Sequence, residues 1–502
     1  MISFLIRLAL CLASLLPAAG WSAPVRWASD GTSNVPYLFH DPADQSRMAG
    51  FENDIVTELG RRIGRDTEFV QNDWDGLIPG LQRGFYEMVI DGIEMTPEHM
   101  EALDFSKPYY VTSERIVVRR DQAGLDSFER LGGHTIGTLK DTLAERMLRE
   151  RADVTLRTYD EESNVFADLR DGRLDAVLID GPIALYYGEA DPMLRLVGPP
   201  VGQLSYGIAF RKGANVLLRQ KMDAAIESMV RDGSLHRILA RWNLWTPEMA
   251  EWTGDHAEPA ISPDEWTRYL NAIRKSQGMK ARMERYVGFL PLIFRGALMT
   301  LAVSACAMCL AVLLGMILAL LRRYGPGWAG LLAGLYIEVV RGTPLLIQIL
   351  FIFYGLPAIG VRLSPFVAGV LGLGLNYAAY EAENYRAGLQ SVARGQMEAA
   401  TALNMTHTQA LRYVVVPQAF RVVVPVMTND FISLLKDSSL VSIITLTELS
   451  QTYVRLSSTY FDYFGTGLMV GAAYLLLGLP FVRLAKMAER RLAVSERRSV
   501  RN

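Results

Sequence analysis

Between residues 296 and 321 the chain runs for 26 positions without a charged side chain. As a helix rising 1.5 Å per residue this stretch covers about 39 Å, more than the roughly 30 Å of bilayer hydrocarbon, and it predicts a membrane span. Uncharged stretches recur at 342–361, 364–380 and 465–482. Residues 420–446 are also apolar, but Pro425, Asp430, Lys436 and Asp437 interrupt them, so they read as an irregular span. The back half is therefore expected to be an all-α domain of about five spanning helices.

The front half keeps a different rhythm. Short β-type runs at 25–29, 88–91, 115–120, 135–138 and 176–179 alternate with amphipathic helical segments at 52–63 and 216–232. Such alternation predicts an α/β sandwich with mainly parallel sheets, whose ligands sit beyond the carboxyl ends of strands. Ahead of it, Arg7 stands in an apolar run that ends at Pro17 and small residues. That is the order of a signal peptide, with cleavage at Ala18-Ala19-Gly20 or at Ser22-Ala23, and an uncleaved anchor as the alternative.

Charge sharpens the division. The 502 residues carry 51 Lys+Arg and 53 Asp+Glu, a net of −2, which excludes a dedicated nucleic-acid binder. Residues 287–502 hold 18 basic and 10 acidic side chains, a net of +8, leaving −10 for the front. The basic residues also orient the spans. Arg322 and Arg323 follow the first, Arg386, Arg394 and Arg412 lie between the third and fourth, and Lys486, Arg490, Arg491, Arg497, Arg498 and Arg501 follow the fifth. Only Arg362 and Arg455 fall in the opposite loops, so the front half is expected outside and the C-terminus in the cytoplasm. Cys306 and Cys309, inside an apolar run with no second pair or His cluster, read as packing residues and not as a metal site.

The most specific motif is Glu398-Ala399-Ala400-Thr401-Ala402-Leu403-Asn404, continuing to Pro417. With Arg341-Gly342-Thr343-Pro344, Asn376-Tyr377-Ala378-Ala379-Tyr380 and Lys436-Asp437-Ser438-Ser439, it resembles the EAA loop of ABC-importer permeases for polar amino acids. The resemblance implies that Glu398, Ala399, Ala400, Asn404 and Pro417 belong to a helix-turn-helix that docks on a cytoplasmic ABC ATPase. The family usually has glycine where Asn404 stands, and asparagine is the non-glycine residue that best tolerates a left-handed turn.

The front half, through Gly50-Phe51-Glu52-Asn53-Asp54, Asp73-Trp74-Asp75-Gly76, Gly92-Ile93-Glu94-Met95-Thr96-Pro97 and Asp104-Phe105-Ser106, resembles the extracellular solute-binding proteins for polar amino acids. It implies a two-lobed periplasmic-binding-protein domain hinged near 117–120 and 202–208. Matched positions give Asp180 to a ligand ammonium, Gly92 a backbone contact, Trp74 an aromatic wall and Thr142 a helix whose first amides could hold a carboxylate. Tyr37 is counted with them. The family's carboxylate-gripping arginine falls on His99, while Asp91 and Glu94 replace small residues. Two readings stay open: these acids face solvent or pair with His99 and Lys140, or the ligand is more cationic than a zwitterion or lacks a free carboxylate.

The expected organisation is a signal peptide at 1–23, a solute-binding domain at 24–245, a linker at 246–288, a permease at 289–492 and a cytoplasmic tail at 493–502. Residues 266–283 read as spacer, or as an amphipathic helix at the membrane surface. Of eight lysines only Lys275 precedes Ser or Thr, and no glycine precedes it, so the sequence lacks a Walker A loop. The reading is thus an importer subunit for a small polar solute, not an enzyme, with no cofactor or metal of its own and ATP and Mg on the partner. Five spans are few for a pathway, so a permease homodimer or a homologous permease, embedded in lipid, is expected. A periplasmic lyase-like enzyme and a ligand-binding receptor are the alternatives.

Overall fold

The computed structural model describes residues 23–499 apart from 33, 258–260, 276–278 and 461, so the expected signal peptide lies, except for Ala23, outside the described residues. The front unit opens with β1 (Val25–Ser29), β2 (Phe39–Asp41), β3 (Asp44–Ala49), helix α1 (Phe51–Ile63), β4 (Thr67–Gln71), α2 (Trp74–Gln82) and β5 (Met88–Val89). It continues with α3 (Pro97–Ala102), β6 (Leu103–Arg119), β7 (Thr135–Leu139), α4 (Leu143–Arg149), β8 (Thr155–Tyr159), α5 (Glu162–Arg170), β9 (Ala176–Asp180) and β10 (Leu194–Arg211). Helices α6 (Val216–Arg231) and α7 (Ser234–Arg241) follow.

Eight strands form one sheet in the order β4-β1-β5-β10-β6-β9-β7-β8. β1 pairs in parallel with β4 and β5, and β7 in parallel with β8 and β9, which gives each lobe its own parallel set. The long antiparallel pair β6 and β10 runs through both lobes. Its register slips between Val197 and Val201, between Val201 and Leu204, and on either side of Gly207. Residues 117–120, expected at the hinge, belong to the second lobe, because β6 is paired with β9 from Glu114 to Val118. The crossing falls earlier, where Val111 and Thr112 face Ser205 and Leu204.

The expected spacer needs correction. Helix α8 (Asp264–Lys275) packs into the α/β core. The Tyr269 ring lies 5.7 Å from Phe39 in the first lobe and 5.1 Å from Tyr186 in the second, and Trp266 stands 4.5 Å from Tyr186. Arg268 pairs with Asp41 on the polar side. The aromatic face that could have met lipid is therefore spent against protein.

The back unit contains α9 (Met279–Tyr324), α10 (Gly327–Gly342), α11 (Leu345–Leu350), α12 (Pro365–Ser391), α13 (Arg394–Ala402), α14 (His407–Ala410), α15 (Val416–Asp437), α16 (Leu449–Tyr460) and α17 (Tyr463–Ser499). Among the described residues, three helical segments are long and apolar enough to cross a membrane: Arg282–Tyr324, His407–Ile444 and Tyr463–Met487. A fourth crossing is formed if Gly327–Gly342 and Leu345–Ile359, bent by 109° at their junction, count as one. By this measure the expected spans at 296–321, 420–446 and 465–482 recur, and 342–361 enters the bent pair. The stretch at 342–361 begins at that break, because Thr343 is extended and Pro344 cannot continue the preceding helix. Helix α12, expected as the third span, carries Asn376, Glu381, Glu383 and Arg386, and lies inside the bundle. Gly369, Gly372, Ala378 and Ala382 are buried on it, the small residues that let helices approach closely. The expected tail is helical as far as Ser499, as the end of α17.

The units touch through named side chains. Phe85 packs 5.5 Å from Phe353, Arg362 Nη1 donates to the Gly84 carbonyl at 3.1 Å, and Arg455 Nη2 donates to the Gln45 carbonyl at 2.7 Å.

Candidate ligand-binding cleft and docking loop

Where the two lobes face each other, beyond the carboxyl ends of β1, β5, β7 and β9, lies a cavity of about 40 Å³. It is lined by Tyr37, Trp74, Asp91, Gly92, Glu94, His99, Thr142 and Asp180, so the eight residues expected from sequence converge on one place. Asp30, Asn34 and Glu162 also line it and were not anticipated. Asp30 follows β1 directly, and its position past a strand end was the available signal.

Asp180 closes β9 and caps the short helix Gly181–Ile183, accepting the Ile183 amide at 2.9 Å. The Tyr37 hydroxyl donates to its other oxygen at 2.9 Å and lies 3.0 Å from the Tyr206 hydroxyl. Burial raises the Asp180 carboxyl to about 6, although these donors oppose the rise. Asp91 Oδ1 accepts from Asn34 Nδ2 at 2.5 Å, from the Asp30 amide at 3.2 Å and from the Ser29 hydroxyl. Its Oδ2 is buried with no partner among the described residues. Burial, with Glu52 and Asp30 close by, pushes Asp91 well above the usual carboxylate range.

Gly92 does not offer its amide to the cavity; the amide donates to Glu52 Oε1 at 2.8 Å. The same oxygen accepts from the Tyr109 hydroxyl, and burial raises Glu52 to about 8. Gly92 has φ +61°, and a Cβ there would stand 2.8 Å from the Tyr37 ring, so only glycine fits without displacement.

Glu94 spans the lobes. Its Oε2 accepts the Leu143 amide at the start of α4 at 2.9 Å, with Arg146 Nη2 at 3.9 Å. Burial, reinforced by Asp180, lifts Glu94 to about 8. His99 Nδ1 lies 2.8 Å from the Glu94 backbone carbonyl and can donate to it. Lys140 pairs with Asp160. The expected pairing of Asp91 and Glu94 with His99 and Lys140 is therefore absent from these contacts, because each base has another acceptor. The Thr142 hydroxyl donates to the Leu139 carbonyl at 2.9 Å and accepts the Glu145 amide at 3.3 Å. The α4 terminus expected to hold a carboxylate is already occupied by Glu94. Trp74 closes one wall, its amide donating to Asp30 Oδ2 at 3.2 Å.

In the back unit, α13 carries Glu398 and Ala399 exposed and Ala400 buried. Asn404 takes φ +60° in the turn, and Thr406 and Gln409 close a capping box at the start of α14. Leu403 is 79% exposed and Tyr413 63%, so an apolar patch surrounds the loop. Pro417 stands in the first turn of α15.

A two-lobed α/β binder joined to a bundle with membrane-length helices defines the class of a solute receptor fused to a membrane permease. The model of bacterial extracellular solute-binding proteins, family 3, matches residues 25–244. That of the binding-protein-dependent transport system inner membrane component matches 311–494. The chain is 34% identical over 203 residues to the probable amino-acid ABC transporter permease protein y4tG of Sinorhizobium fredii, covering 40% of this chain and 88% of that one. To the arginine transport system permease protein ArtQ of Bacillus subtilis it is 32% identical, covering 40% and 93%. An ancestral arginine-binding protein bound to glutamine shares 32% identity over 45% of this chain and 100% of that one, with a TM-score of 0.42. The chain belongs to the amino-acid ABC transporter family, with solute-binding and permease domains fused in one multi-pass inner-membrane protein. Permeases of this family work with ATPase subunits.

Proposed function

We propose that this chain captures a small, cationic, amino-acid-like solute outside the membrane and passes it to its own permease domain. The observation that carries this reading is the charge of the cleft. Eight of the described residues lining it bear carboxyl groups, against one lysine and no arginine. In a closed, poorly hydrated cleft such groups stay ionised only when a cation joins them, and otherwise hold their protons. The binding domain then lies in the periplasm and the C-terminus in the cytoplasm, as the distribution of basic residues supports. ATP and Mg are bound by a separate ATPase docked on Glu398, Ala399, Ala400, Asn404 and Pro417. So few crossings in one chain leave the pathway to be completed by a second copy or a homologous permease within the lipid. Cis tethering holds the receptor near its permease at an effective concentration on the order of millimolar.

The test is calorimetric titration of the detergent-solubilised full chain with basic, neutral and acidic amino acids and with simple amines. Binding of cationic compounds, with none by glutamate or aspartate, is expected. Tight binding of an acidic amino acid alone would sink the reading.

A further inference from the structure

A zwitterion needs a place for its carboxylate as well as for its ammonium, and the donors around this cleft can be followed one by one. The Leu143 amide goes to Glu94 and the Gly92 amide to Glu52. Neighbouring Asp141 gives its amide to Glu145, at 2.7 Å. Lys140 goes to Asp160, and Arg146 Nη1 to Glu98 at 2.7 Å. His99 Nδ1 faces the Glu94 carbonyl, and Asn34 gives its amide group to Asp91. Each of these donors is held by an acceptor of the protein itself. Acceptors, in contrast, are in surplus: Asp91 Oδ2 is buried without a partner among the described residues.

Glu94 is the centre of this arrangement. It sits across the cleft, 7% exposed, on the first amide of α4 and beside the Arg146 guanidinium. A carboxylate arriving with the ligand would have to displace Glu94 from that amide or lie against it as a like charge. Displacement leaves a buried acid without its donor, and contact sets one acid against another so that one of them must hold a proton; both weaken carboxylate binding.

We infer that Glu94 is a built-in carboxylate occupying the place of the ligand's own, so that the cleft selects an amine or guanidinium cation lacking a carboxyl group. This rests on the reading of the cleft as a cation site and deepens it to a substrate class: decarboxylated counterparts of basic amino acids. Asp180 and Asp91 receive the charged head, Trp74 supplies an aromatic face to it, and Glu94 excludes the amino acid.

The experiment titrates the full chain in detergent with three pairs of probes: agmatine and L-arginine, cadaverine and L-lysine, putrescine and L-ornithine. At least one amine is expected to bind ten-fold or more tighter than its amino-acid partner. In Glu94→Ser that preference is expected to fall at least ten-fold, with the amino acid gaining affinity. In Glu94→Gln, which keeps size and an acceptor for the Leu143 amide, the amine is expected to weaken. A thermal melt within a few degrees of wild type keeps these variants interpretable, and the wild-type preference stands as a test without them. An amino acid binding as tightly as its amine partner would overturn the inference while leaving the cation reading intact. Binding of none of the six probes would overturn both.

Discussion

Gln451, on permease helix α16, donates its side-chain amide to Asp73 Oδ1 of the binding domain at 3.3 Å. The same nitrogen lies 3.5 Å from the Thr32 hydroxyl. Both partners adjoin the cleft wall: Thr32 gives its amide to Asp30 at 2.9 Å, and Asp73 immediately precedes Trp74. A residue of the permease thus ends one bond away from groups that line the ligand cavity. Burial, with Asp30 close by, raises Asp73 to about 8, so the contact is made to an acid whose charge depends on its surroundings. Gln451→Ala is expected to slow solute uptake up to about tenfold, in line with the ~0.5–1.5 kcal/mol of a hydrogen bond to an uncharged group. Solute affinity of the full chain is expected to change less than about two-fold (~0.4 kcal/mol). Uptake by vesicles and calorimetry on the same preparation separate the two effects.

Acidity offers a second prediction. Glu94 and Glu52 are raised from 4.5 to about 8 and Asp180 from 3.8 to about 6, all with burial as the largest cause. In the unfolded chain these groups lose their protons near the ordinary carboxylate range, whereas the folded chain still holds them. Stability of the ligand-free protein is therefore highest below that range and falls as pH rises toward 8. A cation opposes the same deprotonation penalty, so its affinity rises over pH 6 to 8 and its binding releases protons. Melting curves and calorimetry in buffers of different ionisation enthalpy check both signs.

Helix α8 supplies a third. Tyr269 is 4% exposed between Phe39 and Tyr186, bridging the two lobes from outside the family-matched region. Tyr269→Ala removes a large buried ring, a change that costs about 3–5 kcal/mol in well-packed cores. The melting temperature of the full chain's binding domain is expected to drop by several degrees. An unchanged melt would return the segment to the role of spacer.

Much of this architecture is legible locally. Val25–Ser29 and Val216–Arg231 show their strand and helix periods within a few residues, and 296–321 declares its helix by length alone. The break at Gly342 was hidden because an uncharged run gives the same hydropathy whether it is straight or bent. Glu338 and Arg341 concealed the helix before it. Trp266 and Tyr269 form an apolar stripe that reads alike for lipid and for core, so the packing of α8 was not legible. The eight cleft residues could be placed by resemblance, but their hydrogen bonds could not. Glu94 meets Leu143 across 49 positions of sequence, and only the closed tertiary arrangement shows that a helix amide expected to be open is taken.

The remaining link, from solute to energy, is proposed to run through Glu398. Exposed on α13 beside Leu403, it is the charged residue of the proposed ATPase contact. Glu398→Lys is expected to abolish co-purification of the ATPase while leaving solute binding intact. Retention of the ATPase by this variant would count against the docking assignment.

The most direct measurement is accumulation of radiolabelled solute in right-side-out membrane vesicles that contain the full chain with its ATPase and are loaded with ATP. The solute is the tightest-binding probe from the titrations. ATP-dependent uptake by wild type, lost in Asp180→Asn through binding and in Glu398→Lys with binding retained, is the result expected of a receptor and pathway carried in one chain. Equal uptake by wild type and Glu398→Lys, or solute binding with no ATP-dependent accumulation, would contradict it.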